Sequence, residues 1–82
     1  MNITDIKRLI RVYRKADEVG LPIMSCSIQR GLMDYAHGKR AECKERLEES
    51  VRFCEIAMHG TQVAQEFAPG AKAILKKILE KI

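Results

Sequence analysis

Apolar residues in this chain recur three and four positions apart almost wherever they cluster, and nowhere do they alternate cleanly with polar ones for more than a few positions. That spacing lines residues along one side of a helix, whereas a half-buried strand needs a period of two. A chain so patterned can fold only by packing helices on helices. The purest stripe lies near the C-terminus, where Ala71, Ile74, Leu75, Ile78, Leu79 and Ile82 share one side and Lys72, Lys76, Lys77, Glu80 and Lys81 take the other. Its spacing is that of a coiled-coil seam, sustained over two heptads only.

Glycine and proline punctuate the pattern. Asn2 is placed to cap a first helix over 3–19, with Asp5 three residues later and Met1 within reach of Ile6 as a staple. Ile3, Ile6, Leu9, Ile10, Tyr13, Ala16 and Val19 form its stripe, and Lys7, Arg8, Arg11, Arg14 and Lys15 its outer face. Gly20 stops it and Pro22 blocks continuation. A second helix over 24–37 takes Ser25 or Ser27 as its cap and Ile28, Leu32, Met33, Tyr35 and Ala36 as its apolar side. Gly31 inside it costs roughly 1 kcal/mol against alanine. The third, over 39–59, carries Cys43, Leu47, Val51, Cys54, Ala57 and Met58, with Glu42–Arg46 and Glu48–Arg52 as favourably ordered i,i+4 pairs. Gly60-Thr61 reads as a stop and a new cap. The stripe nevertheless continues in phase through Thr61, Ala64 and Ala68, so a helix bent at Gly60 and running on to 67 is the competing reading. Ala68-Pro69-Gly70 predicts a break, with Pro69 as the first residue of a last helix over 69–82. The expected fold is one all-α domain over 1–82. It is a small bundle of four helices (five if Gly60 ends the third), with a long central helix and an amphipathic C-terminal one.

With 82 residues, such a chain buries roughly 60–65% of the surface its unfolded form exposes, so disulfides, a metal or oligomerisation would have to reinforce the core. Three cysteines, Cys26, Cys43 and Cys54, are an odd, widely spaced set behind an N-terminus without a secretory pattern, which predicts reduced thiols and a cytoplasmic protein. No apolar run approaches the ~20 residues a bilayer span needs, so no integral membrane association is expected. Oligomerisation is the remaining reinforcement, and a homo-oligomer is the expectation.

The net charge of +4 hides a pattern. Residues 1–40 carry a net +4, residues 41–67 a net −3 and residues 68–82 a net +3. A basic–acidic–basic chain is suited to pairing with itself, within a subunit or between subunits. Chemistry is poorly provided for. Zinc needs ligands from short Cys-x2–4-Cys or His-x3–5-His turns, and none exists. His37 and His59 sit beside glycines at helix ends, where they suit C-terminal caps. Nothing pairs a nucleophile with an oriented base, and no glycine loop cradles phosphate. Neither an enzyme nor a cofactor is expected.

Two functional expectations remain. Residues 16–30, Ala16-Asp-Glu-Val-Gly20-Leu21-Pro22 through Ser25, Ser27, Gln29 and Arg30, resemble the helix-turn-helix of bacterial repressors, with a small residue, glycine four later and a Ser-apolar-Ser run opening a second helix. The resemblance implies DNA binding, with Ser25, Ser27, Gln29 and Arg30 approaching bases or phosphates and Arg14 and Lys15 crossing the backbone. Lys15 stands where the pattern calls for an apolar residue. The leading expectation is a small regulator that self-associates and binds another protein, of the kind phages and mobile elements carry to sequester repressors or host factors. Its interface is expected at Ile74, Leu75, Ile78, Leu79, Ile82, Leu47 and Val51. Lysine-rich amphipathic ends of this kind also suit anionic membrane surfaces.

Overall fold

A computed structural model describes all of residues 1–82. Four helices, α1 (Ile3–Glu18), α2 (Pro22–Ala36), α3 (Arg40–Ala57) and α4 (Gln62–Leu79), and no strand make up the fold. Consecutive helices are joined by short turns and run antiparallel, and α1 closes the ring against α4. This is the up-and-down arrangement that short helix–helix connections favour. α1 and α3 lie on one diagonal and α2 and α4 on the other, without contact across either.

The first helix starts on a reciprocal cap. The Asn2 side chain accepts from the Asp5 amide at 2.9 Å, and the Asp5 carboxylate accepts from the Asn2 amide at 3.3 Å. Both early turns are glycine-terminated in the left-handed region, Gly20 at φ +81° and Gly38 at φ +75°. At each, the next residue's amide reaches back over the helix end, Leu21 to the Ala16 carbonyl and Lys39 to the Asp34 carbonyl, both at 2.8 Å.

The helix boundaries depart from expectation in two places. α2 begins at Pro22, not at 24, because proline at the first helical position has its φ preset and forgoes an amide bond the helix would not make. Ser25 and Ser27 are therefore not caps but lie within the first turns, buried. The larger correction is at the C-terminus. α4 starts at Gln62, capped by Thr61, whose hydroxyl accepts from the Ala64 amide at 3.2 Å, and runs through Pro69. The third helix thus ends at Ala57, not at 59, with Gly60 in the turn that follows, and no helix begins at Pro69. An interior proline costs ~3 kcal/mol or more. Against that, Ala64, Ala68, Ala71, Leu75 and Ile78 form one continuous buried row, and the last two alone contribute about 1.5–3 kcal/mol each. Pro69 is exposed on the opposite side, where water can serve the carbonyl left without a partner.

The core is aliphatic and sulfurous: Leu9, Val12 and Ala16 from α1, Met24 and Ile28 from α2, Cys43, Leu47, Val51, Cys54 and Ala57 from α3, and the α4 row. Gly31 explains itself at the α2–α3 contact, where a Cβ would lie 3.2 Å from Leu47 Cδ2 and 3.4 Å from Arg46 Cβ. Beside it, Ser27 and Ser50 both donate to the Arg46 carbonyl, at 3.0 and 2.9 Å, so the polar atoms at this close approach are satisfied. The two ends of the chain are tied in. The Met1 ammonium donates to the Tyr35 hydroxyl at 2.7 Å, and Lys81 donates to the Asp5 carboxylate at 3.1 Å. Asp5 is 1% exposed, and the Lys81 hydrogen bond is the main cause holding its carboxyl below the ordinary carboxylate range.

Candidate protein-binding surfaces

The C-terminal stripe meets its own chain. Leu75 and Ile78 on α4 and Leu47 and Val51 on α3 are buried in the bundle core, and Ile74, Leu79 and Ile82 are half-buried against it. Those seven residues form a largely internal seam.

What remains apolar at the surface lies elsewhere, in two places. One is the end of the bundle where the α1–α2 turn meets the α3–α4 turn. Ile23 and Ile56 are each 67% exposed there, flanking a groove of about 450 Å³. Val19, Leu21, Phe53, Ala57 and Ala64 line it, and none of its twelve lining residues is charged. Pro22 and Ile23, the first two residues of α2, stand on the rim of this groove.

The second is a trough of about 470 Å³ along the α1–α2 seam, lined by Ile6, Ile10 and Tyr13 from one helix and Leu32, Met33 and Ala36 from the other. Met33 at its lip is 61% exposed, and Ile3, one turn before Ile6 on α1, is 65% exposed. Sequence reasoning placed Ile3, Ile6, Ile10 and Tyr13 in a single inward stripe and left out Val12. The inward row is Asp5, Leu9, Val12 and Ala16. α1 is apolar over too wide an arc for one pair of neighbours to cover, and the presence of both Ile10 and Val12, on opposite sides of Leu9, was the signal for it.

The residues of the DNA-binding expectation are split. Ser25 is 1% exposed and accepts from the Gln29 amide nitrogen at 3.1 Å, while Ser27 is bonded to Arg46 as above. Arg14, Lys15, Gln29 and Arg30 are exposed, and Lys15 pairs with Glu18 at 3.2 Å. α1 and α2 pack side by side from the Met1–Tyr35 bond to the Leu21 turn, so they are antiparallel bundle neighbours along their whole length.

The cation distribution is uneven. Only Lys15, Arg46, Lys72 and Lys81 form ion pairs, leaving Lys7, Arg8, Arg11, Arg14 and Arg30 free on α1 and α2. No three His, Cys, Asp or Glu side chains come together in a way that could hold a metal ion. Cys43 and Cys54 are core thiols whose burial raises their pKa values, that of Cys54 to about 11, and Cys26 is exposed. No helix is long and apolar enough to cross a membrane. No family model, curated protein or solved structure matches this chain.

Proposed function

We propose that the chain is a small non-enzymatic regulatory protein that acts by binding other proteins and pairs with a second copy of itself, as accessory factors of phages and mobile elements do. The observation that carries the self-association is the uncharged end face, where two protruding isoleucines flank a groove lined by apolar side chains. A patch that holds both knobs and a hole is self-complementary about a twofold axis, and its lack of charge removes the like-charge repulsion that an isologous pairing would otherwise meet. This face replaces the C-terminal stripe as the surface offered to a second subunit. Light scattering tests it: the chain forms a dimer, and the double variant Ile23→Asp/Ile56→Asp is a monomer with an unchanged helical circular dichroism spectrum. A folded wild-type monomer at high concentration sinks the self-association.

A second reading, a DNA-binding regulator, is favoured by Arg14 and Arg30, which stand exposed and without carboxylate partners on adjacent helices. It requires duplex binding that weakens steeply with salt and is reduced by Arg14→Ala and Arg30→Ala.

A further inference from the structure

The end face leaves the α1–α2 trough unoccupied. We infer that this trough holds one side of an acidic amphipathic helix from a partner protein. The inference rests on the reading of the chain as a protein-binding regulator and supplies the chemistry of what it binds.

Shape is the first argument. From Ile6 to Tyr13 the trough follows α1 for seven residues, about 10 Å, or two turns of a helix laid beside it. A concave, apolar channel of that length between two parallel-running ridges is what an amphipathic helix with apolar residues at i, i+3/i+4 and i+7 fills. No strand exists in the fold to offer an edge to an extended segment.

Charge is the second. On the outer ridge of α1, Lys7 and Arg14 alternate with Ile3 and Ile10 at helical spacing, so a cation stands beside each apolar lip. On α2, Arg30 turns away from the trough into the α2–α3 groove beside Ser27, Arg46 and Glu49, so the rim cations are those of α1. Both α1 cations are exposed, and neither is paired with a carboxylate. Asp17 and Glu18 on α1 form no ion pair with Lys7 or Arg14, and the acids Glu42, Glu45 and Glu48 are on α3, the helix diagonal to α1. An occupant whose apolar stripe is edged by glutamates or aspartates meets this rim with complementary charge. A second copy placed trough to trough about a twofold axis would instead set the Lys7 and Arg14 cations of one copy against those of the other. A nucleic acid would find its phosphates over a floor of isoleucine, leucine and tyrosine ring.

The test uses the full chain and a fluorescein-labelled designed helix with leucines at i, i+3, i+7 and i+10 flanked by glutamates. A control peptide has every glutamate replaced by lysine. The glutamate helix binds roughly tenfold or more tighter than the lysine helix in low salt, and the preference shrinks as salt rises. Met33→Glu, at a position 61% exposed, abolishes most of the binding, and Lys7→Glu/Arg14→Glu reverses the preference between the two peptides. Equal affinity for both helices overturns the inference. So does binding that Met33→Glu leaves intact, or displacement of the peptide by duplex DNA in a manner indifferent to Met33→Glu, which would mark a general polyanion surface. A chain that dimerises through Ile23 and Ile56 but binds neither helix loses this inference alone, while a chain that does neither loses the proposed function as well.

Discussion

Two of the three cysteines are used as small core residues, and their protonation is coupled to folding. Cys54 is fully enclosed, 3.9 Å from the Met24 sulfur, and Cys43 is enclosed beside Leu47. Burial disfavours the thiolate, raising Cys54 from 9.0 to about 11 and Cys43 in the same direction. The folded chain therefore keeps these protons at a pH where the unfolded chain has lost them. Their stabilisation is fully present below the unfolded thiol pKa and is lost as pH rises from about 8.5 towards 11. Thermal unfolding followed between pH 7.5 and 10.5 falls accordingly. In Cys54→Ala the starting stability is lower by about 1–2 kcal/mol for the lost packing, but the alkaline decline is shallower. An identical decline in the variant would show that the Cys54 thiol does not titrate with folding. Under native conditions a thiol reagent labels Cys26 first, since the thiolate is the nucleophile and only that sulfur is exposed.

Among the elements, α4 carries the sharpest energetic conflict, an interior proline in a helix whose buried row needs no interruption. Pro69 is exposed and outside the buried row, so Pro69→Ala restores an amide hydrogen bond without disturbing that row. It stabilises the chain by about 1–3 kcal/mol in urea unfolding with an unchanged m-value. A destabilised variant would mean that the proline itself helps to seat α4 against α3. The same element marks how far the sequence could be read. Gly20 and Gly38 announced their turns because only glycine adopts those backbone angles without strain, and the helical character of every segment followed from spacing alone. Thr61 and the unbroken phase from Ala64 to Ile78 were also legible, yet the local steric rule at Pro69 outweighed them in the reading although it does not outweigh them in the fold. The surfaces were harder. A stripe tells that a helix side is covered and says nothing of what covers it. The Ile74–Ile82 stripe therefore resembled a partner interface while serving the chain's own core. The α1–α2 trough and the end face arise from pairings of residues such as Ile56 with Ile23, remote in sequence and brought together only by the antiparallel ring.

For the molecule as a whole, charges of opposite sign are separated in space. Free cations mark α1 and acids mark α3, on opposite corners of the bundle, so the fields are not cancelled within a subunit. The end built from 19–24 and 53–64 is where two copies can approach with the least repulsion and the most apolar surface to remove from water. If folding and pairing are linked there, stability depends on concentration. A tenfold rise in chain concentration favours a dimer by about 1.4 kcal/mol, or roughly 0.7 kcal/mol per chain. For a domain of this size that raises the midpoint of thermal unfolding by about 3–5 °C per decade. In Ile23→Asp/Ile56→Asp the dependence vanishes, and because both side chains are mostly exposed in the single subunit, the variant's midpoint matches that of dilute wild type. A flat wild-type profile would remove the second copy from this face. A variant melting well below dilute wild type would show that the two isoleucines stabilise the subunit they belong to, and the end face would then be part of the fold's own support.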